Sequence, residues 1–296
     1  MAGQSLAKIL ISGILANPKD SPKTLIFYGA FGTGKTTSAR IFARALNCQH
    51  PVNNQPCGKC ANCLKDINQC SYYREYDASI VGKVDKLREL KDTFYINSSK
   101  SYQVVVFDEC HLISSVAQGA LLKILEETPP RTFFVLCTTD VDRLLPTIRS
   151  RSLEVEFLRV PFNDIIDNIK SICKLKNIEM SLSLMESIAR KSNGHMRDVH
   201  KYIDQYLIVG NDNFTKVFRS AKKPVINYFT SIAHKSSEEC CKSIDELLTY
   251  PLSEVHEAFY DIVLTLSKSM VMDTELSSLS KLFGSSILKL VRLYIS

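Results

Sequence analysis

The sequence predicts an α/β protein in which a doubly wound parallel sheet is followed by helices only. Short apolar runs alternate with helical patterns over about the first 160 residues, which favours a parallel sheet with crossover helices. A complete glycine-rich loop follows the first apolar run, at residues 29–36. After Val160 and Pro161 every pattern has helical spacing, so no strand is expected beyond that point.

The predicted elements of the α/β part follow one another in a regular order. Continuous apolar runs are typical of strands that are buried on both faces of a parallel sheet. Such runs predict strands at residues 24–28, 103–107 and 132–137, and two further strands are expected at 72–77 and 152–157. Helices are expected at residues 5–16, 38–47, 84–94, 116–127 and 144–149. Pro129 and Pro130 end the fourth of these helices.

The helical region is predicted to have two parts. Three helices at 165–173, 182–191 and 196–208 form a compact unit, with Gly194 in the turn that ends the second helix. Residues 210–213 are expected to be a linker, and four or five amphipathic helices follow it. The expected domains are therefore residues 1–159, 160–209 and 210–296.

The loop at residues 29–36 carries the full pattern G-x-x-x-x-G-K-T between an apolar run and a helical pattern, which is the context of a phosphate site. Its glycines let successive backbone N–H groups point inward, and the helix N-terminus adds its positive dipole end. Lys35 is expected to reach the β- and γ-phosphates of ATP, and the Thr36 hydroxyl to ligate Mg²⁺. The residues expected around the phosphates are Gly29, Ala30, Gly32, Thr33, Gly34, Lys35, Thr36 and Thr37.

A second candidate feature is the acidic pair Asp108 and Glu109, which follows the apolar run at 103–107. Both carboxylates are expected at the carboxyl end of a buried strand, the edge where open α/β sheets bind ligands. Asp108 is suited to orienting the Mg²⁺ shell, and Glu109 to polarising an attacking water. The two motifs together predict ATP hydrolysis.

The chain has ten cysteines, and four of them form the pattern C-x8-C-x2-C-x2-C among turn residues. Cys48, Cys57, Cys60 and Cys63 suit a tetrahedral structural zinc site that leaves no position open for catalysis. Cys70 is an alternative fourth ligand, and a set of free, partly buried thiols is the alternative to zinc binding. The remaining cysteines are expected to be small core residues, namely Cys110, Cys137, Cys173, Cys240 and Cys241.

The composition is that of an ordinary soluble globular protein, with 45% hydrophobic and 23% charged residues. Its 37 Lys and Arg against 31 Asp and Glu give a net charge of +6, which permits a polyanionic partner without requiring one. The apolar stretch at 9–16 traces one helix face and is not expected to be a signal peptide, because a site for intracellular ATP begins shortly after it. No run approaches membrane-spanning length, so we expect a cytoplasmic protein with no membrane partner.

Several further segments carry a resemblance to one family. They lie at residues 46–48, 56–63, 107–112, 120–127 followed by 129–130, and 145–152. Together with the phosphate loop, they resemble the AAA+ clamp-loader ATPases of DNA replication, and within them the branch of bacterial gamma/tau subunits of DNA polymerase III. The resemblance extends from about residue 3 to residue 208. It implies an AAA+ P-loop domain with a zinc-knuckle insertion at 48–70, then a helical lid and a helical C-terminal collar.

The resemblance also implies roles for single residues. Ser150-Arg151-Ser152 falls on a Ser-Arg-Cys motif, so Arg151 would be an arginine finger that enters the ATP site of the next subunit. Arg149 is the rival candidate for this role. Thr139 falls on the sensor position that helps to hold the attacking water, and Arg197 on a second sensor that contacts the phosphates from the lid.

Contacts with other subunits and with DNA are implied in the same way. Gln118 falls where related loaders place a glutamine that couples neighbouring subunits. Basic residues around the predicted helix at 84–94 would track the backbone of primer–template DNA in a central channel, although a solvated helix face explains them equally well. These residues are Lys83, Lys86, Arg88 and Lys91.

The function implied by the resemblance is that of an ATPase subunit in a ring of clamp-loader subunits, which loads a sliding clamp onto primer–template DNA. The competing hypotheses are a non-hydrolysing structural or regulatory subunit and a branch-migration motor, which shares the loop but not the cysteine insertion. The chain begins almost at Gly3-Gln4, so base selectivity is expected either to be looser or to be supplied by residues 6–11 and the lid. With no long tail after the collar, this favours a minimal loader subunit of the kind a virus could encode.

Overall fold

The computed structural model describes residues 2–95, 101–217, 222–233 and 236–250, together with single positions between 252 and 263. The chain divides into two compact units, Met1–Ile208 and Val209–Ser296. The helices that directly follow Val160 belong to the same unit as the sheet. The expected separation at residues 159 and 160 therefore lies inside one compact unit.

The first unit contains a sheet of five parallel strands in the order β2-β3-β4-β1-β5. Its strands are β1 (Thr24–Gly29), β2 (Tyr73–Asp77), β3 (Gln103–Asp108), β4 (Thr132–Thr138) and β5 (Leu153–Phe157). Each predicted strand is present, and its ends lie within one residue of the expected ones. The prediction of an α/β protein with a parallel sheet is thus confirmed.

Helices cover both faces of this sheet. In the first unit they are α1 (Ser5–Ala16), α2 (Lys35–Leu46), α3 (Ala61–Leu64), α4 (Ala78–Val81), α5 (Val84–Tyr95), α6 (Ser115–Glu126), α7 (Pro146–Arg149), α8 (Phe162–Lys176), α9 (Leu182–Lys191) and the start of α10 (Met196–Val217). Helix α2 begins three residues earlier than expected, because Gly34 ends the loop in a left-handed conformation and the helix starts directly after it.

The strands bury alternate residues against two different helix layers. Leu25 and Phe27 pack into a core with α1 and α2, whereas Ile26 between them packs into a second core with α5 and α6. In the same way Val106 faces the first core and Phe107 the second. Because both faces are covered, the central residues of β1 and β3 are apolar, which explains the apolar runs in the sequence.

The predicted linker at 210–213 is largely helical in the structure. Helix α10 runs from Met196 to Val217, and only Gly210 departs from helical geometry, with φ 73° and ψ 170°. The Asn and Asp residues that follow Gly210 favour turns, but the helix resumes through them. Two helices therefore meet at a kink at Gly210, and residues 211–213 of the predicted linker are helical.

In the second unit the structure describes α11 (Lys222–Ala233) and α12 (Ser237–Leu247), and a small core that includes Val225 and Phe229. The other helices expected there fall outside the described residues. Cys241 is exposed and Cys240 is half-buried, because α12 is rich in charged residues, so the expectation of core cysteines is wrong at these two positions. Among the described residues, no helix is both long and apolar enough to span a membrane.

Candidate nucleotide site

A cavity of about 420 Å³ lies at the edge of the sheet where β1 and β3 end. Predicted site residues line it from the phosphate loop, from the end of β3 and from α10. These are Gly32, Thr33, Gly34, Lys35, Thr36, Thr37, Asp108, Glu109 and Arg197. Thr139 and Arg151, both within the described part of the chain, do not line this cavity. The topology thus brings most of the predicted residues together in one place.

The path of the phosphate loop depends on two glycines. A Cβ at Gly29 would lie 2.0 Å from the carbonyl oxygen of Phe157, so no other residue fits against β5 at this position. Gly34 has φ 98° and directly precedes α2, whose first N–H groups have no partner within the helix. Thr33 is buried and its hydroxyl donates to Ala30 O at 2.8 Å, which holds the loop in a closed turn.

Lys35 is almost fully buried beneath the loop. Its Nζ donates to Gly29 O at 2.8 Å and to Ala30 O at 2.9 Å. Burial lowers the pKa of Lys35, and the nearby positive charge of Arg197 acts in the same direction, whereas the carboxylates of Asp108 and Glu109 oppose the shift. Burial disfavours an unpaired ammonium group. An anion bound in the loop would stabilise the ammonium form of Lys35, because its negative charge would pair with it.

Two oxygen atoms suited to Mg²⁺ lie side by side next to Lys35. The Thr36 hydroxyl donates to Asp108 Oδ2 at 2.9 Å, although the two residues are far apart in sequence. The other carboxylate oxygen of Asp108 accepts the backbone N–H of Glu109 at 3.1 Å. A hydroxyl and a carboxylate are hard oxygen ligands, so this pair fits the chemistry of Mg²⁺.

Glu109 follows β3 in a left-handed conformation, with φ 54°. Such a conformation costs a non-glycine residue about 1 kcal/mol or more and persists where the surroundings impose it. Its carboxylate Oε2 lies 3.5 Å from Nδ1 of His111, which also lies 3.5 Å from the Thr139 hydroxyl. His111 was not among the predicted site residues, because its contact with Thr139 joins the ends of two strands that are distant in the chain.

Arg197 approaches the phosphate loop from the start of α10. Its guanidinium carbon lies 4.2 Å from the ring centroid of Phe31, which is half exposed at the loop tip. The backbone N–H of Met196 donates to Gly32 O at 3.0 Å. Phe31 occupies a variable position of the loop pattern, so no motif pointed to it.

The part of the cavity away from the motif residues is lined by the N-terminal segment and the helical region. Gln4 connects the N-terminal segment to the phosphate loop, because its side-chain amide donates to Thr33 O at 3.4 Å. The same amide donates to Leu158 O at 2.5 Å. Asn168 in α8 and His200 in α10 also line the cavity. Residues 6–11, from which adenine contacts were expected, are not among its lining residues.

The two candidate arginine fingers differ in how they are held. Arg149 is bound within its own chain, through Glu154 at 2.8 Å and Asp142 at 2.7 Å. Arg151 is half exposed and makes one ion pair, with Glu126 at 3.2 Å, and one weaker hydrogen bond to a backbone carbonyl. An exposed ion pair contributes little free energy, so Arg151 is the easier of the two to redirect to a partner.

Four of the predicted zinc ligands lie together, and their ligand atoms are all within 4.8 Å of one another. The Sγ atoms of Cys48 and Cys63 are 3.6 Å apart, and Cys48 and Cys60, like Cys57 and Cys63, are 3.9 Å apart. Sulfurs about 3.8 Å apart are expected around a tetrahedral ion with Zn–S bonds of about 2.3 Å. Cys70 lies outside this group, and its thiol donates to Asp66 O at 3.2 Å.

Backbone N–H groups point at the sulfurs of this cluster. The N–H groups of Lys59 and Cys60 lie 3.5 and 3.3 Å from Cys57 Sγ and lower the pKa of that thiol. The N–H of Gln49 is the main cause that lowers the pKa of Cys60 to about 6, whereas burial raises the pKa of Cys63 to about 12. These N–H groups thus favour the thiolate forms of Cys57 and Cys60, and the thiolate is the form that binds zinc.

Gln118 does not lie at the surface, where a contact with a neighbouring subunit was expected. Its side chain is buried and donates to Ile113 O at 3.1 Å and to Arg143 O at 2.9 Å, and it accepts the N–H of Leu145 at 2.7 Å. It therefore ties α6 to the segment before α7, within one chain.

The predicted DNA-facing cations lie on and beside α5. Lys83, Lys86 and Arg88 are exposed, and the side chain of Lys91 falls outside the described residues. Arg88 lies 3.9 Å from Asp85 on the same helix, so acidic residues interrupt the basic surface. The exposure of these cations fits both a surface that tracks DNA and a solvated helix face.

The fold and the site define a class of protein. A parallel sheet with a phosphate loop after β1, an acidic pair after β3 and a following helical region is the arrangement of an AAA+ P-loop nucleotide-binding protein. The sequence model of the family described as DNA polymerase III, delta subunit, matches residues 4–161, which is more than half of the 296 residues. The chain belongs to this family, and its recognition as an AAA+ clamp-loader subunit is confirmed.

Relatives and solved structures agree with this assignment. The chain is 34% identical over 194 residues to the DNA polymerase III subunit gamma of Buchnera aphidicola subsp. Baizongia pistaciae, an alignment that covers 64% of this chain and 52% of the relative. It is 35% identical over 189 residues to the subunit tau of Bacillus subtilis, covering 63% of this chain and 34% of the relative. The chain thus spans about half or less of the length of these relatives.

A mutant of RuvB from Thermotoga maritima has a similar fold, with a TM-score of 0.53 and 17% identity over 96% of this chain and 83% of its own. At this identity the likeness concerns the fold alone.

Proposed function

We propose that the chain is an ATPase subunit of a sliding-clamp loader, and that it uses ATP to load a clamp onto primer–template DNA. The observation that carries the proposal is the convergence of Lys35, the Thr36–Asp108 pair and Glu109 in one cavity. The names of the relatives, which are subunits of DNA polymerase III, support the replication context.

Each side chain of the cavity has one task in the proposed reaction. Lys35 and the loop N–H groups bind the β- and γ-phosphates of ATP. Thr36 and Asp108 would hold Mg²⁺, which when bound neutralises charge on the phosphates. Glu109 accepts a proton from the attacking water, and Arg197 contacts the phosphates from the helical region.

Arg151 acts on the ATP site of a neighbouring subunit in this proposal. Its position outside the cavity of its own chain supports a role in trans. The partners are therefore other clamp-loader subunits in a ring, the clamp, and DNA that contacts Lys83, Lys86 and Arg88 through its phosphates. We place this reaction in the cytoplasm, where ATP and replicating DNA are present.

The cysteine cluster is proposed to hold one structural zinc ion. The distances among the sulfurs of Cys48, Cys57, Cys60 and Cys63 support a closed tetrahedral site, in which no coordination position remains for water. The segment that contains them has few other contacts of regular structure, since α3 is one turn long. Zinc would therefore stabilise the segment and take no part in hydrolysis.

Two other functions remain as competitors. A subunit that binds nucleotide without hydrolysing it would not need Glu109 beside Asp108, and both are present. A branch-migration motor would share the fold, and the likeness to RuvB concerns only the fold. The cysteine cluster and the names of the relatives favour the clamp loader.

The test of the proposed function is the ATPase rate of the protein, alone and with its partner subunits, with and without primed DNA and a candidate clamp. We expect hydrolysis that primed DNA and clamp stimulate together. A protein that binds ATP but does not hydrolyse it under any of these conditions would support the structural subunit instead.

The zinc proposal predicts about one zinc ion per chain in protein purified without chelators. Changing Cys60 to Ser is expected to lower the melting temperature more than it lowers turnover by the folded fraction, because the ion stabilises the fold and not the reaction. Cys241→Ser is the matched control, since this thiol is exposed and lies in another unit. Zinc-free protein of unchanged stability would contradict the assignment.

The contact between Arg197 and Phe31 predicts a coupling that binding measurements can detect. A cation above a ring contributes about 0.5–1 kcal/mol at an exposed site, and here it holds the guanidinium beside the loop against the charge of Lys35. Phe31→Leu is expected to weaken ATP binding about two- to fivefold, whereas Phe31→Tyr keeps the affinity. In an Arg197→Ala background, Phe31→Leu should have no further effect; an equal loss in both backgrounds would show that the ring acts without Arg197.

A further inference from the structure

We infer that His111 is a positioning residue that holds Glu109 and Thr139 in one hydrogen-bonded arrangement, with its Nδ1–H as the shared donor. The inference rests on the proposed function, because it assigns a task within ATP hydrolysis. It concerns a residue that neither the phosphate loop nor the acidic pair includes.

The geometry places three oxygen atoms around one ring nitrogen. Nδ1 of His111 lies 3.3 Å from the Thr138 hydroxyl, 3.5 Å from the Thr139 hydroxyl and 3.5 Å from Oε2 of Glu109. The side chain of His111 is only 16% exposed, so most of its ring is held by protein contacts. The ring therefore connects the ends of β3 and β4, the two strands that are expected to supply the water-activating groups.

The hydrogen bonds of Thr138 indicate whether Nδ1 of His111 carries a hydrogen. The Thr138 hydroxyl donates its one proton to Asp140 O at 2.9 Å and accepts the Asp140 N–H at 3.0 Å. It has one lone pair left and no proton, so it can only accept from His111. With these bonds, Nδ1 carries the ring hydrogen, and Oε2 of Glu109, which can only accept, lies 3.5 Å from the same nitrogen.

The backbone fixes His111 relative to Glu109. The two residues flank Cys110, which is fully buried and whose thiol donates to Phe107 O at 2.9 Å. Glu109 itself is in the left-handed conformation, and the N–H of Leu112 donates to Glu109 O at 2.9 Å. The short turn is thus rigid, and His111 keeps a nearly constant position from which its Nδ1–H orients the carboxylate.

The consequence for the reaction is that the general base and the Thr139 hydroxyl are oriented by one group. A carboxylate that is free to rotate spends less time directed at the attacking water, and a displacement of about 1 Å in a reacting group can cost 10²-fold in rate. In this arrangement the hydrogen-bond partners of His111 do not include the phosphate-binding residues of the loop or the Thr36–Asp108 pair. Its loss should therefore slow hydrolysis without weakening ATP binding.

The test compares two amide substitutions of the same residue. The side-chain nitrogen of Asn in His111→Asn occupies approximately the place of Nδ1, and that of Gln in His111→Gln the place of Nε2. We expect His111→Gln and His111→Ala to lower kcat about tenfold with an unchanged dissociation constant for ATP. His111→Asn should restore most of the rate, and melting temperatures identify any variant that fails to fold.

A second measurement does not depend on activity. Nitrogen NMR of protein labelled in its six histidines reports which ring nitrogen of His111 carries hydrogen, and the His111→Gln variant assigns the signal. Hydrogen on Nδ1 supports the inference, and hydrogen on Nε2 alone overturns it.

The kinetic outcomes separate the inference from the proposed function. Equal losses of kcat in the Asn and Gln variants, or a parallel loss of ATP affinity, would overturn the positioning role. Hydrolysis by the unchanged protein would still support the proposed function. If the unchanged protein does not hydrolyse ATP, the proposed function fails and, with it, the positioning role. The NMR result then still decides the position of the proton.

Discussion

Changing Glu109 to Gln is expected to lower ATP turnover by about 10²-fold or more while ATP still binds. The amide has nearly the shape of the carboxylate and still accepts a hydrogen bond from His111, but it cannot take a proton from water. Lys35, Thr36 and Asp108 are unchanged in this variant, so the groups proposed to bind the phosphates and Mg²⁺ remain in place.

The measurement pairs steady-state turnover with a dissociation constant for ATP, obtained from a fluorescent analogue and competition by ATP. Glu179→Gln serves as the matched control, because Glu179 is exposed and lies between α8 and α9, away from the cavity lining. Turnover within a few-fold of the normal rate in Glu109→Gln would remove Glu109 from the mechanism. A large loss of ATP affinity would instead give it a binding role.

The fold was predictable from the sequence because burial on both faces leaves a direct trace in it. Residues 104–107 and 133–137 are apolar without interruption, and the structure buries each of these strands between two helix layers. The failure at Gly210 has a related cause. Glycine and asparagine favour turns locally, but only Gly210 leaves helical geometry here, and the asparagines after it are helical.

The candidate site was predictable only where a residue belongs to a spaced pattern. Lys35 and Asp108 were found in this way, and the structure brings them into one cavity. His111 and Phe31 were missed because their contacts join segments that are distant in the chain, and Phe31 fills a position where the loop pattern accepts any residue. Gln118 was predicted from resemblance to couple neighbouring subunits, and the structure shows its buried side chain bonded within its own chain.

Changing Arg151 to Ala is expected to lower ATP turnover by about 10³-fold or more in the assembled ring, with ATP binding to the same chain intact. Arg151 lies outside the cavity of its own chain and half of its side chain is exposed, so its charge is available to a neighbour. Arg149 is the internal comparison, because Glu154 and Asp142 already hold it. Arg149→Ala should therefore act mainly on stability.

Mixing two inactive proteins distinguishes a role in trans from one in cis. Arg151→Ala chains keep the phosphate loop and Lys35→Ala chains keep the finger, so a mixed ring contains interfaces that pair an intact loop with an intact finger. Partial turnover is expected to return in the mixture, although neither protein is active alone. ATP binding and assembly are measured on the same mixtures. An inactive mixture that binds ATP and forms rings would show that all sites of a ring must act together. If Arg151→Ala protein hydrolyses ATP at the normal, DNA-stimulated rate, the role in trans is wrong, and Arg149 becomes the residue to test.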